Sequence, residues 1–283
     1  MPELQLRGGE VDGLRLHYVV EGRGPAVILV HGLGGFAESW RHNVLPLASR
    51  ATVFALDLPG FGDSAKPRTR YRLAYFAGAL RGFMDALGLA QASLVGHSLG
   101  GAIGITLALT HPSRVERLAL VGAVVPGCGY RPSWIYRLVA LRGLGEVLSL
   151  GGCAKLYKAA LARCFHAPDP REVDFFIDHG YAVRTDAAAR AAYLATLRDV
   201  RIDFETHAGD YRRALATLQL PVLLIHGRQD RVVRAEHCAE IAGVLRHAAV
   251  RWVDACGHFP QIEHVEAVNG WLVDFLVGRR APR

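Results

Sequence analysis

At 283 residues, 51% of them apolar, the chain is long enough for one large core plus an insertion, and no apolar run in it approaches membrane-span length. The net charge of +7 is carried almost wholly by arginine and comes with no nucleic-acid-binding motif, so the basic balance alone does not point to a nucleic-acid partner. Five scattered cysteines without a C-x-x-C pair argue against a disulfide frame and suggest a reducing compartment, and the start Met1-Pro2-Glu3-Leu4 shows no signal-peptide pattern, so a cytoplasmic location is expected.

Taken in order, Glu3 to Val11 and Leu14 to Val20 read as an antiparallel hairpin turned by Asp12-Gly13. Ala26 to Val30 is a buried strand that ends in His31-Gly32-Leu33-Gly34-Gly35, where glycines free the backbone to turn its N–H groups toward a site. The apolar run Ala92 to Val95 leads into Gly96-His97-Ser98-Leu99-Gly100, and Gly101 to Ala108 reads as a buried helix. A G-x-S-x-G pentapeptide between strand and helix forces its serine into a strained, projecting turn. Ser98 is therefore the expected nucleophile.

A serine hydroxyl needs a base to take its proton, and the base needs a buried acid to orient it. Pro221 to Gly227 reads as a strand running into Arg228-Gln229-Asp230, the stretch Arg234 to Arg246 as a helix, and Ala249 to Val253 as a strand ending in Asp254-Ala255-Cys256-Gly257-His258. Asp230 and His258 each follow the carboxyl end of a strand and can face Ser98. Asp254 is the rival acid. Among the other histidines, His97 points away from the nucleophile, His31 and His226 are packing or turn residues, and His237 and His264 are expected at the surface.

His31-Gly32-Leu33-Gly34-Gly35, Asp57-Leu58-Pro59-Gly60-Phe61-Gly62-Asp63-Ser64, Gly96 to Gly101, His226 to Asp230 and Gly257-His258-Phe259 together resemble the α/β-hydrolase superfamily, in its order and over nearly the whole chain. The resemblance is to the cap-bearing branch that includes carboxylesterases, thioesterases, lactonases, C–C hydrolases and perhydrolases. It implies a mainly parallel eight-stranded sheet flanked by helices, with a helical cap inserted after the sixth strand, Arg117 to Val121. It also implies that the backbone N–H groups of Leu33 and Leu99 form the oxyanion hole, with Gly34 beside them, and that Asp57 and Asp63 are structural. The aspartate nucleophile of haloalkane dehalogenases and epoxide hydrolases is replaced here by Ser98 followed by Leu99. The Gly-Pro-Gly common in ring-cleavage C–C hydrolases is replaced by Gly34-Gly35-Phe36.

Residues 1–125 and 216–283 are accordingly expected to form the core and 126–215 the cap. Helical pieces are expected at Ser133 to Arg142, Gly145 to Ser149, Lys155 to Phe165, Arg171 to Arg184 and Ala187 to Arg198. Trp134, Ile135, Leu138, Val139, Leu156, Tyr157, Phe165, Phe175 and Phe176 are candidates to line a substrate pocket beneath them. Between Pro126 and Phe165 the cations Arg131, Arg137, Arg142, Lys155, Lys158 and Arg163 face Glu146 alone, and they read as a solvated helix face. The expected activity is hydrolysis of a small-molecule carboxylic ester through an acyl-enzyme, with no metal and no cofactor, in a monomer or dimer. The alternatives are C–C hydrolysis of a dienoate and a ligand-binding receptor that keeps the triad.

Overall fold

The computed structural model describes residues 2–151, 154–180 and 185–277. Eight strands form one sheet in the order β1-β2-β4-β3-β5-β6-β7-β8. They are β1 Glu3–Gln5, β2 Arg15–Glu21, β3 Ala26–Val30, β4 Thr52–Leu56, β5 Ala92–His97, β6 Val115–Val121, β7 Val222–Gly227 and β8 Ala248–Val253. β1, β2 and β4 pair antiparallel; from β4 to β8 every pairing is parallel. Val30 lies beside Gly96 and His97 beside Val121, so the carboxyl ends of β3, β5 and β6 are level, which is where open α/β sheets hold their ligands.

Largely apolar runs form the central strands β3, β4, β5 and β7, which are buried nearly throughout because both faces of the sheet are covered there. Ile28, Val30, Leu94, Leu118, Leu120 and Leu224 enter the core on one face; Val27, Leu29, Val95, Ala119, Val121 and Ile225 enter that on the other. The alternation is the period-two signature of a strand. Helix α3 (Leu99–Thr110) is apolar on every side and almost wholly buried, as a helix laid against such a sheet must be. Gly100 permits that approach: a Cβ there would stand 2.1 Å from the Val30 carbonyl oxygen.

The opening hairpin differs from the sequence expectation. β1 stops at Gln5, and Gly9–Val11 forms a 3-10 turn. Gly8 and Gly9 adopt left-handed φ values of 85° and 62°, and the Asp12 carboxylate accepts the Gly8 N–H at 2.7 Å, which favours a turn over a longer strand. Helices α1 (Arg41–Ala48) and α2 (Leu73–Ala86) and strand β4 fill the stretch that the sequence left unassigned.

Among the described residues six helices lie between β6 and β7: α4 Trp134–Val139, α5 Leu144–Gly151, α6 Ala154–Ala162, α7 Pro170–Gly180, α8 Ala187–Thr206 and α9 Ala208–Leu215. The expected piece from Arg171 ends at Gly180, and its remainder, 181–184, lies outside the described residues. The expected helix from Ala187 runs eight residues past Arg198. Asp199 and Asp203, which look like surface charges, turn onto the core: Asp199 accepts the Tyr71 N–H at 2.9 Å and Asp203 the Leu73 N–H at 3.0 Å. Asp203 also binds the Arg72 guanidinium, at 3.0 Å through Nε and 2.5 Å through Nη2. These carboxylates cap the amino end of α2, where a helix has unpaired N–H groups and favours negative charge. On the other side Glu172 of α7 bonds Arg41 and His42 at the start of α1.

After α9 and β7 the chain continues through α10 (Ala235–Val244), α11 (Pro260–Glu263) and α12 (Val265–Val277).

Candidate active site

Ser98 sits between β5 and α3 with φ 53° and ψ −115°. With Ala255 it is one of two non-glycine residues in the left-handed region among the described residues. Its backbone is pinned: its N–H donates to the Val121 carbonyl at 3.0 Å, and its carbonyl accepts from Gly101 and Val124 at 3.0 and 3.2 Å. The flanking glycines leave room for the turn, because a Cβ on Gly96 would lie 2.4 Å from the Gly100 oxygen and one on Gly32 would lie 2.9 Å from the Ser98 Cβ. The bend carries strain of the order of 1–3 kcal/mol that the surrounding bonds hold in place.

Asp230 follows β7 and is buried. Its Oδ1 accepts the N–H groups of Val232 and Val233 at 2.7 and 2.9 Å, and its Oδ2 accepts Nδ1–H of His258 at 2.8 Å. Burial alone would raise its pKa, but the charge and hydrogen bond of His258, with lesser help from His226 and the Val233 N–H, hold it below the ordinary carboxylate value. An ionised Asp230 can only accept, so it holds a His258 proton on Nδ1 and orients Nε2 as the nitrogen that can take one from a nucleophile. The histidine loop is fixed from two sides. The His258 N–H donates to the Cys164 carbonyl at 2.7 Å, and Glu263 accepts the Gly257 and His166 N–H groups at 2.9 and 2.7 Å. Asp254 is exposed and pairs with Arg228 at 2.8 Å, away from the histidine.

Ser98, His258, Leu33, Gly34 and Leu99 line one cavity of about 430 Å³ beneath the inserted helices. Leu99 opens α3, so its N–H has no acceptor within the helix. Gly34, at φ 74°, turns the loop after β3 toward the same space, with Tyr193 3.3 Å from where its Cβ would be.

The family model for the α/β hydrolase fold matches residues 25–143 and 170–265. The chain belongs to the α/β-hydrolase-fold family. It is 32% identical to the 2-hydroxy-6-oxo-6-(2'-aminophenyl)hexa-2,4-dienoic acid hydrolase of Metapseudomonas resinovorans, over 95% of this chain and 89% of that one. Among solved structures it resembles the 2-hydroxy-6-oxo-6-phenylhexa-2,4-dienoate hydrolase of Rhodococcus sp. strain RHA1, with a TM-score of 0.81, 27% identity, and coverage of 97% and 98%. The enol-lactonase of Burkholderia xenovorans LB400 is similar at a TM-score of 0.75, 26% identity, and coverage of 97% and 99%.

The expectations for the roof of this α/β hydrolase need correction. Phe165 and Phe175 pack in an apolar cluster with Phe36 and Phe259 and do not line the cavity, and the Leu156 side chain lies outside the described residues. Trp134 and Leu138 do not line the cavity either; Trp134 is 70% exposed and Leu138 is exposed as well. They share one face of α4, whereas Ile135 and Val139, a quarter-turn away, border the cavity. The residues missed are mainly those of α8: Tyr193, Thr196, Leu197, Val200, Arg201 and Phe204 line the cavity at helical spacing. That stripe is visible in the sequence once the helix is allowed to continue past Arg198.

His237 is also corrected. It is buried, accepts the Val125 N–H on Nε2 at 3.0 Å and donates Nδ1–H to the Cys128 carbonyl at 2.6 Å. It therefore fastens the segment where the chain leaves the sheet for the inserted helices, and burial pushes its pKa down to about 4. His97 is buried and donates Nε2–H to the His258 carbonyl at 2.9 Å; burial first, then the charge of His258, push it down to about 3. His31 donates Nδ1–H to the Gly32 carbonyl at 2.7 Å and accepts the Leu58 N–H at 3.0 Å, fixing the loop after β3. Asp57 is buried and accepts from Ala37, Asp63 and His17 at 2.6, 2.8 and 2.8 Å, which spends its oxygens on the loop. Cys164 borders the cavity, but burial pushes its thiol up to about 12, so it does not compete as a nucleophile near neutral pH.

Proposed function

We propose that this α/β hydrolase cleaves a carboxylic ester with a mainly apolar acyl group, with Ser98 as nucleophile. The observation that carries the reading is the meeting in one cavity of a strained Ser98 and of His258, its Nδ1 held by buried Asp230. Ser98 Oγ bonds to the ester carbonyl carbon as its proton passes to His258 Nε2. The carbonyl π-pair moves onto oxygen, and the Leu33 and Leu99 N–H groups stabilise that charge. Collapse breaks the acyl–oxygen bond, and the departing alkoxide takes the proton from His258. Water then gives its proton to His258 and attacks the acyl-enzyme, and the second collapse returns the proton to Ser98. The cycle balances with water as co-substrate and calls on no metal or cofactor. Residues 126–215 act as the cap that keeps bulk water from the acyl-enzyme. The cysteines at 128, 164, 238 and 256 are all free, which suits a reducing cytoplasm.

A second reading, C–C hydrolysis of a dienoate, has support in the activities named for the Metapseudomonas and Rhodococcus hydrolases and in Arg137 and Arg201, which border the cavity and suit a substrate carboxylate. One experiment ranks the two. The purified chain is expected to be labelled at Ser98 by a fluorophosphonate and to turn over p-nitrophenyl esters of short and medium chain length. A kcat/KM on a 2-hydroxy-6-oxo-dienoate at least a hundredfold above that on the best ester would reverse the order. Labelling without repeated turnover of either substrate would leave a binding protein.

The pH dependence is a further check. A general base must be unprotonated to accept a proton, so kcat/KM is expected to rise with pH and level off. The rise should show one ionisation. His97 is pushed down to about 3 and so stays neutral across the working range, and burial lowers His31 and His226 as well. Initial rates on a neutral ester across acid to mildly alkaline buffers test this. A rate that does not change with pH would remove the histidine base.

A further inference from the structure

Of the ten exposed large hydrophobic side chains among the described residues, seven lie between Trp134 and Leu148, on α4, α5 and the turn joining them. Trp134 is 70% exposed and Val147 64%. Scattered apolar residues on a surface are ordinary; a contiguous cluster marks an interaction site. Arg131, Arg137 and Arg142 lie on the same stretch, all exposed, and none of them forms an ion pair among the described residues. The one acid there, Glu146, is taken up by two bonds from Arg198 at 2.8 and 2.9 Å. Ile135 and Leu148 belong both to this outer cluster and to the cavity lining, so the cavity reaches the surface at the cluster.

The geometry points to α4 and α5 as a docking face for an anionic lipid surface, across which the enzyme takes an ester that partitions into lipid. The inference rests on the hydrolase reading for its substrate and on the surface alone for its partner. Apolar side chains ringed by arginine match the headgroup boundary of a membrane, where the apolar face enters the acyl edge and the cations meet lipid phosphates. A second copy of the chain suits the face less well. In a two-fold pairing each guanidinium cluster would meet its own copy with no acid between them. No helix in the described residues is long and apolar enough to cross a membrane, so the contact is with the surface.

Flotation of the full chain with vesicles tests this. The chain is expected to float with vesicles of phosphatidylcholine containing phosphatidylglycerol. It should bind pure phosphatidylcholine about tenfold less, and its binding should weaken as salt rises. The double variant Trp134→Ser, Val147→Ser should lose at least about tenfold in vesicle partition while keeping the parent rate on a short, soluble ester. Ser98→Ala should float like the parent. Failure of the parent chain to float at any lipid composition, or flotation of the double variant as strong as the parent's, overturns the inference. So does a parent dimer in sedimentation velocity that the double variant abolishes. A chain that floats as expected but hydrolyses no ester overturns the ester reading and leaves the lipid contact standing.

Discussion

Ser98→Ala is expected to lower kcat/KM on the best ester by about three orders of magnitude or more, with the melting temperature close to that of the parent. The exchange removes only the hydroxyl. Alanine keeps the Cβ, so the left-handed φ of 53° and its strain remain, and the backbone bonds to Val121, Gly101 and Val124 are untouched. Whatever rate survives comes from the oxyanion donors and from substrate binding. A purified Ser98→Ala protein that retained more than a tenth of the parent rate would place the nucleophile elsewhere.

Asp230→Asn is expected to cost on the order of 10³–10⁴ in kcat, whereas Asp254→Asn should stay within about twofold of the parent. The Val232 and Val233 N–H groups both point at Oδ1 of Asp230, so an asparagine must set its carbonyl oxygen there. Its NH₂ then faces His258 Nδ1, where the native carboxylate accepts a proton at 2.8 Å. The imidazole moves its proton to Nε2 and can no longer accept one from Ser98. Among the described residues Asp254 pairs with Arg228 and makes no hydrogen bond to His258. Steady-state rates of the two variants, side by side, decide between the acids; the opposite ranking would move the role to Asp254.

The sheet was legible because a parallel strand covered on both faces must be apolar throughout, and the runs before Gly32, Gly96 and Asp230 are. The strand-ending turns were legible because a reactive group at a sheet edge demands glycine beside it. What failed was the side on which a residue faces. Asp199 and Asp203 look like solvent charges, but their partners are backbone N–H groups more than a hundred residues away, which no local pattern reveals. Hydrophobicity alone points Trp134 into the pocket, but it lies on the outer face of α4 and is 70% exposed, and a pattern of apolar residues does not say which of two helix faces turns inward. His237 was read as a surface residue because its partners, Val125 and Cys128, are equally remote in sequence.

The roof is bonded to the core at several places, Cys164 and His166 beside the histidine loop among them, but among the described residues no hydrogen bond or ion pair ties α4 or α5 to it. Glu172 holds one edge to Arg41 and His42, and Asp199 with Asp203 holds another to the start of α2. α4 and α5 are tied instead to α8, through Arg198 bonds to the Ala140 and Leu141 carbonyls. A plate fixed at several places does not swing open as a door; it yields at its unclamped margin. If that margin admits the substrate, slender, flexible acyl chains are expected to pass more readily than rigid, branched ones of equal volume, which kcat/KM on a matched pair of linear and branched esters checks.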